Sequence, residues 1–144
     1  MKELKSEIIA ICKDELEGRI IALEKELELL AADIAEDNKS SAGDKYETSR
    51  EMANLERQKL AEQLSQNKKF LGYLINLKSA NHNQVEAGSL IETDQDFIFI
   101  AISFGLLEVA GRKVMIISPQ APLAQALLGA LAGDQVSFND RLYK

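Results

Sequence analysis

Between residues 16 and 34 the apolar positions Leu16, Ile20, Leu23, Leu27, Leu30 and Ile34 follow one another at steps of 4, 3, 4, 3 and 4. That alternation marks a heptad seam, the edge along which one helix packs on another. Leu4, Ile8 and Ile11 carry an apolar stripe upstream, and the step of five from Ile11 to Leu16 shifts its phase. No proline interrupts, and Gly18 is the only weak helix former in this stretch, so the helix is expected to run through. Glu24, Lys25, Glu26 and Glu28 fill the intervening solvated face. Roughly 35 residues of helix rise on the order of 50 Å. A rod of that length needs a partner for its stripe.

The partner is expected in the same chain. A polar break, Asn38-Lys39-Ser40-Ser41-Ala42-Gly43-Asp44-Lys45-Tyr46-Glu47, separates the first pattern from a second. The second is expected to begin near Asp44 and to reach about Leu77, with Met52, Leu55, Leu60, Leu64, Leu71 and Leu74 as its stripe. Two stripes of similar length joined by a short loop zip most economically as an antiparallel hairpin. The break is then the tip of the hairpin, and it carries the carboxylates Asp44 and Glu47. Asp44 also has a purely structural reading, because an acidic residue at a helix start suits the unpaired N–H groups and positive dipole end there.

Beyond 78 the helical period stops. Residues 79–84 are polar and aperiodic and read as a linker, and His82, the only histidine, has no neighbours with which to form a metal or triad constellation. Residues 85–93 read as a strand with a bend at Gly88, turned by Asp94-Gln95-Asp96. Phe97-Ile98-Phe99-Ile100-Ala101-Ile102 is apolar on both faces, as a doubly covered strand requires. Ala110-Gly111-Arg112-Lys113 turns into a strand at 114–117, Pro122 opens a short helix that Gly129 closes, and Ala132-Gly133-Asp134 turns into a last strand at 135–138. The expected class is α+β: an antiparallel coiled-coil hairpin over 1–80 and a small antiparallel sheet with one helix over 81–144.

Composition narrows the function. With net charge -6 and a sequence pI near 4.9, the chain lacks the cationic surplus by which duplex-coating proteins displace counterions. Residues 1–80 hold 13 Lys or Arg against 16 Asp or Glu, and residues 81–144 hold 4 against 7, so cations concentrate in the first part. Lys13, Arg19, Lys68 and Lys69 fall toward the end of the hairpin away from the tip, as a partner-facing patch or as solvated surface. Cys12 is the only cysteine, which excludes an intrachain disulfide and suits a reducing compartment. With one cysteine, one histidine and no third partner for either, thiol or acyl-transfer catalysis is not expected. The opening residues lead into charged helix rather than an apolar leader, and the apolar run at 97–107 is far shorter than the roughly 20 residues of a membrane span. A cytoplasmic protein with no membrane contact is expected.

Two separated stretches together resemble one family, the bacterial Gre transcript cleavage and elongation factors, which combine an N-terminal antiparallel coiled coil with a C-terminal FKBP-like domain. The globular stretch Ile117-Ser118-Pro119-Gln120-Ala121-Pro122-Leu123-Ala124-Gln125-Ala126-Leu127-Leu128-Gly129, followed by Gly133-Asp134-Gln135-Val136, is similar to that family's Ile-Ser, Ser/Ala-Pro-Ile/Leu, Leu-Ile/Leu-Gly and Gly-Asp-x-Val pattern. Val85-x-x-Gly88-Ser89 resembles its entry strand, and Gly43-Asp44-x-x-Glu47 its acidic tip. The likeness covers nearly the whole chain and keeps the order of both parts. Two departures stand out. Thr48-Ser49-Arg50-Glu51 replaces the usual Asn-Ala-Glu-Tyr, and the sequence stops soon after Tyr143, where the family usually has a further strand, so the sheet is expected to lack an edge.

The resemblance implies that the coiled coil enters the secondary channel of RNA polymerase and that Asp44 and Glu47 act there on the nascent RNA 3′ end. Two carboxylates three apart at a helix start lie on one face. Hard oxygen ligands of this kind suit Mg²⁺, so the pair is expected to share a Mg²⁺ with the polymerase active site and to orient the attacking water. Cofactor and activity then belong to the polymerase, and the protein alone is not an enzyme. Tyr46 either stacks on a base or channel wall or packs back on its hairpin. Lys45 and Arg50 are candidates for RNA phosphate contact, and Arg50 either weakens the metal site or pairs with a polymerase group. Pro122 and Leu123 are expected in the polymerase-docking surface of the globular part, whose FKBP-like fold does not itself imply prolyl isomerase activity. A monomer is expected. Two other readings compete: a channel-binding inhibitor without cleavage activity, and a coiled-coil structural or adaptor protein.

Overall fold

The structure, a computed structural model, describes residues 2–37, 43–77, 84–134, 136–138 and 141–143. Helix α1 spans Lys2–Asp37 and α2 spans Gly43–Asn76, close to the expected limits. They are followed by β1 (Leu90–Glu92), β2 (Phe97–Ile100), β3 (Gly105–Val109), β4 (Arg112–Ile117), α3 (Pro122–Leu127), β5 (Val136–Phe138) and β6 (Arg141–Tyr143). The α+β class follows directly. By contacts the chain forms two compact units, one of residues 1–12 with 73–144 and one of residues 13–72, so both long helices cross the division without interruption.

In the unit of residues 13–72 the helices run antiparallel. Glu24 of α1 pairs with Lys68 of α2 at 3.5 Å, while Glu26, Leu29, Leu30 and Asp33 share a groove with Met52, Ala53, Glu56 and Leu60. Positions rising along α1 therefore meet positions falling along α2. On α1, Leu16 and Ile20 are buried in this unit, and Leu4, Ile8 and Cys12 are buried in the other, all spaced by four. Cys12, fully buried, fills the place that the step from Ile11 to Leu16 leaves open. Each step of four overshoots a helical turn by about 40°, so the buried line winds around the helix before the heptad seam takes over. Within it Lys5 is also buried, and desolvation holds its ammonium below the usual lysine range.

The sheet of the other unit has the order β1-β2-β4-β3. It is mixed, where a purely antiparallel sheet was expected: β1 and β2 are antiparallel, as are β3 and β4, but β2 and β4 pair in parallel from Phe97 opposite Val114 to Ile100 opposite Ile117. The reason is β3, which the sequence pattern does not mark. Chain leaving β2 passes to the outer edge, forms β3 and returns by a hairpin, so β4 enters the slot beside β2 in the same direction. β2 is buried along its whole length, which fits its unbroken apolar run. Ile98 and Ile100 face Leu123, Ala124 and Leu127 of α3, with Ile91, Met115 and Ile117 against the same cluster. Phe97 and Phe99, with Val114 and Ile116, are as deeply buried on the opposite face. Each such side chain contributes about 1.5–3 kcal/mol. β5 and β6 form a separate antiparallel pair.

The β3–β4 hairpin turns through Ala110 and Gly111, at φ 52° and 77°. A two-residue turn with both angles positive matches the right-handed twist of its strands. Gly111 adopts this conformation freely, but the Cβ of Ala110 is strained there. Ala110→Asn is expected to raise stability by about 1 kcal/mol, seen as a higher urea midpoint at unchanged slope; an unchanged midpoint would count against strain at this turn.

Candidate functional site

The acidic pair falls where α2 begins. Five residues, 38–42, separate the end of α1 from Gly43, and they lie outside the described residues. Asp44 and Glu47 occupy the second and fifth positions of α2. The backbone therefore puts both within its first turn and a half, three apart, on neighbouring positions of one helix face. The side chains of residues 43–47 lie outside the described residues, and with them the expected contacts of Lys45, Tyr46 and the Mg²⁺ ligands Asp44 and Glu47. Arg50 is described and exposed, one turn further along α2. Among the described residues no group of three or more His, Cys, Asp or Glu is placed to hold a metal ion. The donor types at 44 and 47 fit Mg²⁺, which takes one or two carboxylates from a protein and keeps its waters.

Below the tip, the seam on α2 differs from the expected stripe. Leu60 and Leu74 are buried and Leu64 and Leu71 half-buried, but Met52 and Leu55 are 66% and 65% exposed. Among the buried or half-buried positions of α2, which also include Ala53, Asn54, Phe70, Gly72 and Tyr73, the set Leu60, Leu64, Asn67, Leu71 and Leu74 recurs at steps of 4, 3, 4 and 3. Apolar content alone pointed to Met52 and Leu55; the heptad phase excludes them and admits the small Ala53 and the polar Asn67. Along α1 the seam loosens from the buried Leu16 and Ile20 to Leu23, Leu27, Leu30 and Ile34, which are only half-buried, while on α2 Leu60 is buried in the stretch that shares the groove with Leu29 and Leu30. Of the basic residues grouped in the sequence, Arg19 pairs with Glu15 at 3.1 Å and Lys68 with Glu24, both exposed, so two of the four cations are engaged within the hairpin.

In the globular part the quoted motif residues meet one another. Val85 N–H donates to the Ala130 carbonyl and Gly129 N–H to the Val85 carbonyl, each at 2.9 Å, tying the entry segment to the end of α3. Gly88 takes φ 91°, which lets its N–H reach the Ile100 carbonyl at 2.7 Å, and the buried Ser89 hydroxyl accepts from Glu86 N–H at 2.9 Å. The Ser118 hydroxyl accepts from Gln120 N–H at 3.2 Å and donates to the Gln120 side chain at 2.6 Å, while Gln125 Nε2 donates to the Pro119 carbonyl at 2.7 Å. Asp134 accepts from Leu131 N–H at 2.8 Å across the turn that Gly133 makes at φ 92°. Pro122, the first residue of α3, is exposed. Leu123 is buried in the core, which leaves Pro122 as the member of the pair that presents surface. His82 lies outside the described residues. Among the described residues no helix is long and apolar enough to cross a membrane.

No family model and no curated protein matches the sequence. Among solved structures, that of the transcription factor Gfh1 is similar over 91% of this chain and 87% of that one, with 17% sequence identity and a TM-score of 0.40.

Asn67 tests the seam assignment. Its side-chain amide donates to the Gln63 carbonyl at 2.7 Å, within the same helix. A polar seam residue fixes register at a cost in stability. Asn67→Leu is expected to stabilise the hairpin by about 1 kcal/mol in urea unfolding followed by circular dichroism; a loss of stability would place Asn67 off the seam.

Proposed function

We propose that this chain is a Gre-type transcription elongation factor: it binds RNA polymerase, inserts its helical hairpin into the secondary channel and stimulates cleavage of backtracked RNA. The observation that carries the reading is the position of Gly43-Asp44-x-x-Glu47 at the opening of α2, five residues after α1 ends, so that the acidic pair belongs to the turn-back of an antiparallel hairpin. The globular motif supports it independently, since the residues that carry the resemblance are those on which the backbone of 85–134 turns and closes.

In this reading the chain divides by role into residues 1–80, which reach the active site, and residues 81–144, which grip the channel rim through an exposed surface that includes Pro122. Asp44 and Glu47 supply carboxylate oxygens to a Mg²⁺ shared with the polymerase, which there activates the water that attacks the RNA phosphodiester. Lys45 and Arg50 lie beside them as partners for RNA phosphate, and Tyr46 as a surface for the RNA 3′ end or the channel wall. Two carboxylates without the polymerase's own ligands hold Mg²⁺ weakly, so the isolated protein has no nuclease activity. The factor acts where the polymerase is, in the cytoplasm of a bacterial cell, and as a monomer, because a channel admits one hairpin.

The test is a stalled, backtracked elongation complex. Added protein is expected to release 3′ RNA fragments, and Asp44→Ala or Glu47→Ala is expected to reduce the rate by about a hundredfold or more, on the scale of losing a group that stabilises the transition state, with polymerase binding retained. Binding with slowed transcription and no fragments would replace this reading with that of a channel-blocking inhibitor, which Arg50 beside the acidic pair favours. Failure to bind core polymerase would remove both.

A further inference from the structure

One side of the hairpin carries a groove between α1 and α2 that the seam does not fill. Its apolar part is open to solvent: Leu29 and Met52 are 58% and 66% exposed, with Leu30 half-buried beside them. Three carboxylates, Glu26, Asp33 and Glu56, line the same groove, and no cation does. Among the described residues none of the three makes an ion pair, whereas Glu15 and Glu24 nearby do. The two ion pairs of the hairpin thus lie outside the groove, whose charged lining is carboxylate only.

We propose that this groove docks a basic, amphipathic helical segment of a partner protein, its leucine-like residues covering Leu29 and Met52 and its Lys or Arg residues meeting Glu26, Asp33 and Glu56. Exposed leucine and methionine gain by being covered, and methionine adapts to varied apolar shapes. The carboxylate rim selects the sign of the ligand. A second copy docking groove to groove is the wrong occupant, because it would bring three further carboxylates against the first three. From Glu26 to Asp33 the groove follows about 10 Å of α1, enough for two turns of a ligand helix. The inference stands on the groove and does not require the polymerase reading.

The experiment uses the full chain labelled at its methionine methyl groups and an unlabelled synthetic peptide of about 14 residues, or about 20 Å of helix, with leucines at helical spacing flanked by lysines. Titration is expected to shift the Met52 methyl resonance and to leave Met115, in the sheet core, unmoved. Glu26→Lys/Asp33→Lys/Glu56→Lys is expected to weaken the peptide by about tenfold. Glu17→Lys/Glu51→Lys/Glu62→Lys, with the same net charge outside the groove, is expected to have little effect. The proposal is overturned if both triple variants weaken binding equally, if a peptide with glutamates in place of the lysines shifts Met52 as strongly, or if Met52 does not move. A Met52 shift that grows with protein concentration and no peptide would identify a second copy as the occupant and overturn it too.

Discussion

Neither long helix can bury its apolar edge alone, and the pairing of α1 with α2 is the constraint from which the rest of the hairpin follows. Isolated helices in water gain little from propensity; packing of an apolar face supplies most of their stability. Leu16 and Ile20 on α1 and Leu60 on α2 are buried by that pairing. Along α1 burial then falls off toward the tip, from Leu16 and Ile20 to the half-buried Leu23, Leu27, Leu30 and Ile34, where α2 offers the buried Leu60 but also the small Ala53. A seam that is large on one side and small on the other leaves leucine surface half-covered, and the groove beside Leu29 and Met52 is part of the same imbalance.

The globular part depends on a second constraint, the central place of β2. An unbroken run of Phe97-Ile98-Phe99-Ile100 must be covered on both faces and flanked on both edges. β1 supplies one edge and β4 the other, and the short β3 detour makes the β4 contact parallel. α3 closes one face. Its anchor is a set of backbone bonds from Val85 to Gly129 and Ala130, so the entry segment and the helix end hold each other in place. Positive φ at Gly88, Gly129 and Gly133 marks the points at which the chain reverses around this arrangement. The motif residues of this region are explained by the fold they make.

What could be read in advance divides along the same physical line. Local periodicity is legible: the heptad steps from Leu16 gave α1, the double apolar face gave β2, and Pro122 with Gly129 bounded α3. Features decided by partners distant in sequence are not. β3 was missed because Gly105-Leu106-Leu107-Glu108-Val109 neither alternates nor runs apolar throughout, and its strand character comes from pairing with β4. Parallel pairing of β2 with β4 leaves no local signature. On α2, Met52 and Leu55 look like seam by hydrophobicity and are exposed, while Ala53 and Asn67 look like surface and turn inward. Phase decided against composition there. Of the candidate site, the helix start at the acidic pair was legible, because Gly43 and Asp44 carry a helix-initiation signal.

That signal bears unequally on the two carboxylates. A helix dipole and its unpaired N–H groups stabilise anions only within the first turn. Asp44, second in α2, has this structural reason to be acidic whatever the protein does. Glu47, fifth in α2, sits past the reach of the dipole and is not required by the helix. Were Asp44 the N-cap, Glu47 would stand at N3 and close a capping box; with α2 opening at Gly43, Asp44 is already inside the first turn and Glu47 lies beyond that box position. An acidic residue three beyond Asp44, at the fifth helical position, on the same face and at the turn-back of a hairpin, is what a shared cation site asks for and a helix opening at Gly43 does not. Glu47 therefore separates the two meanings of the tip more cleanly than Asp44: its carboxylate is expected to matter to function with little consequence for folding, whereas loss of Asp44 mixes the two.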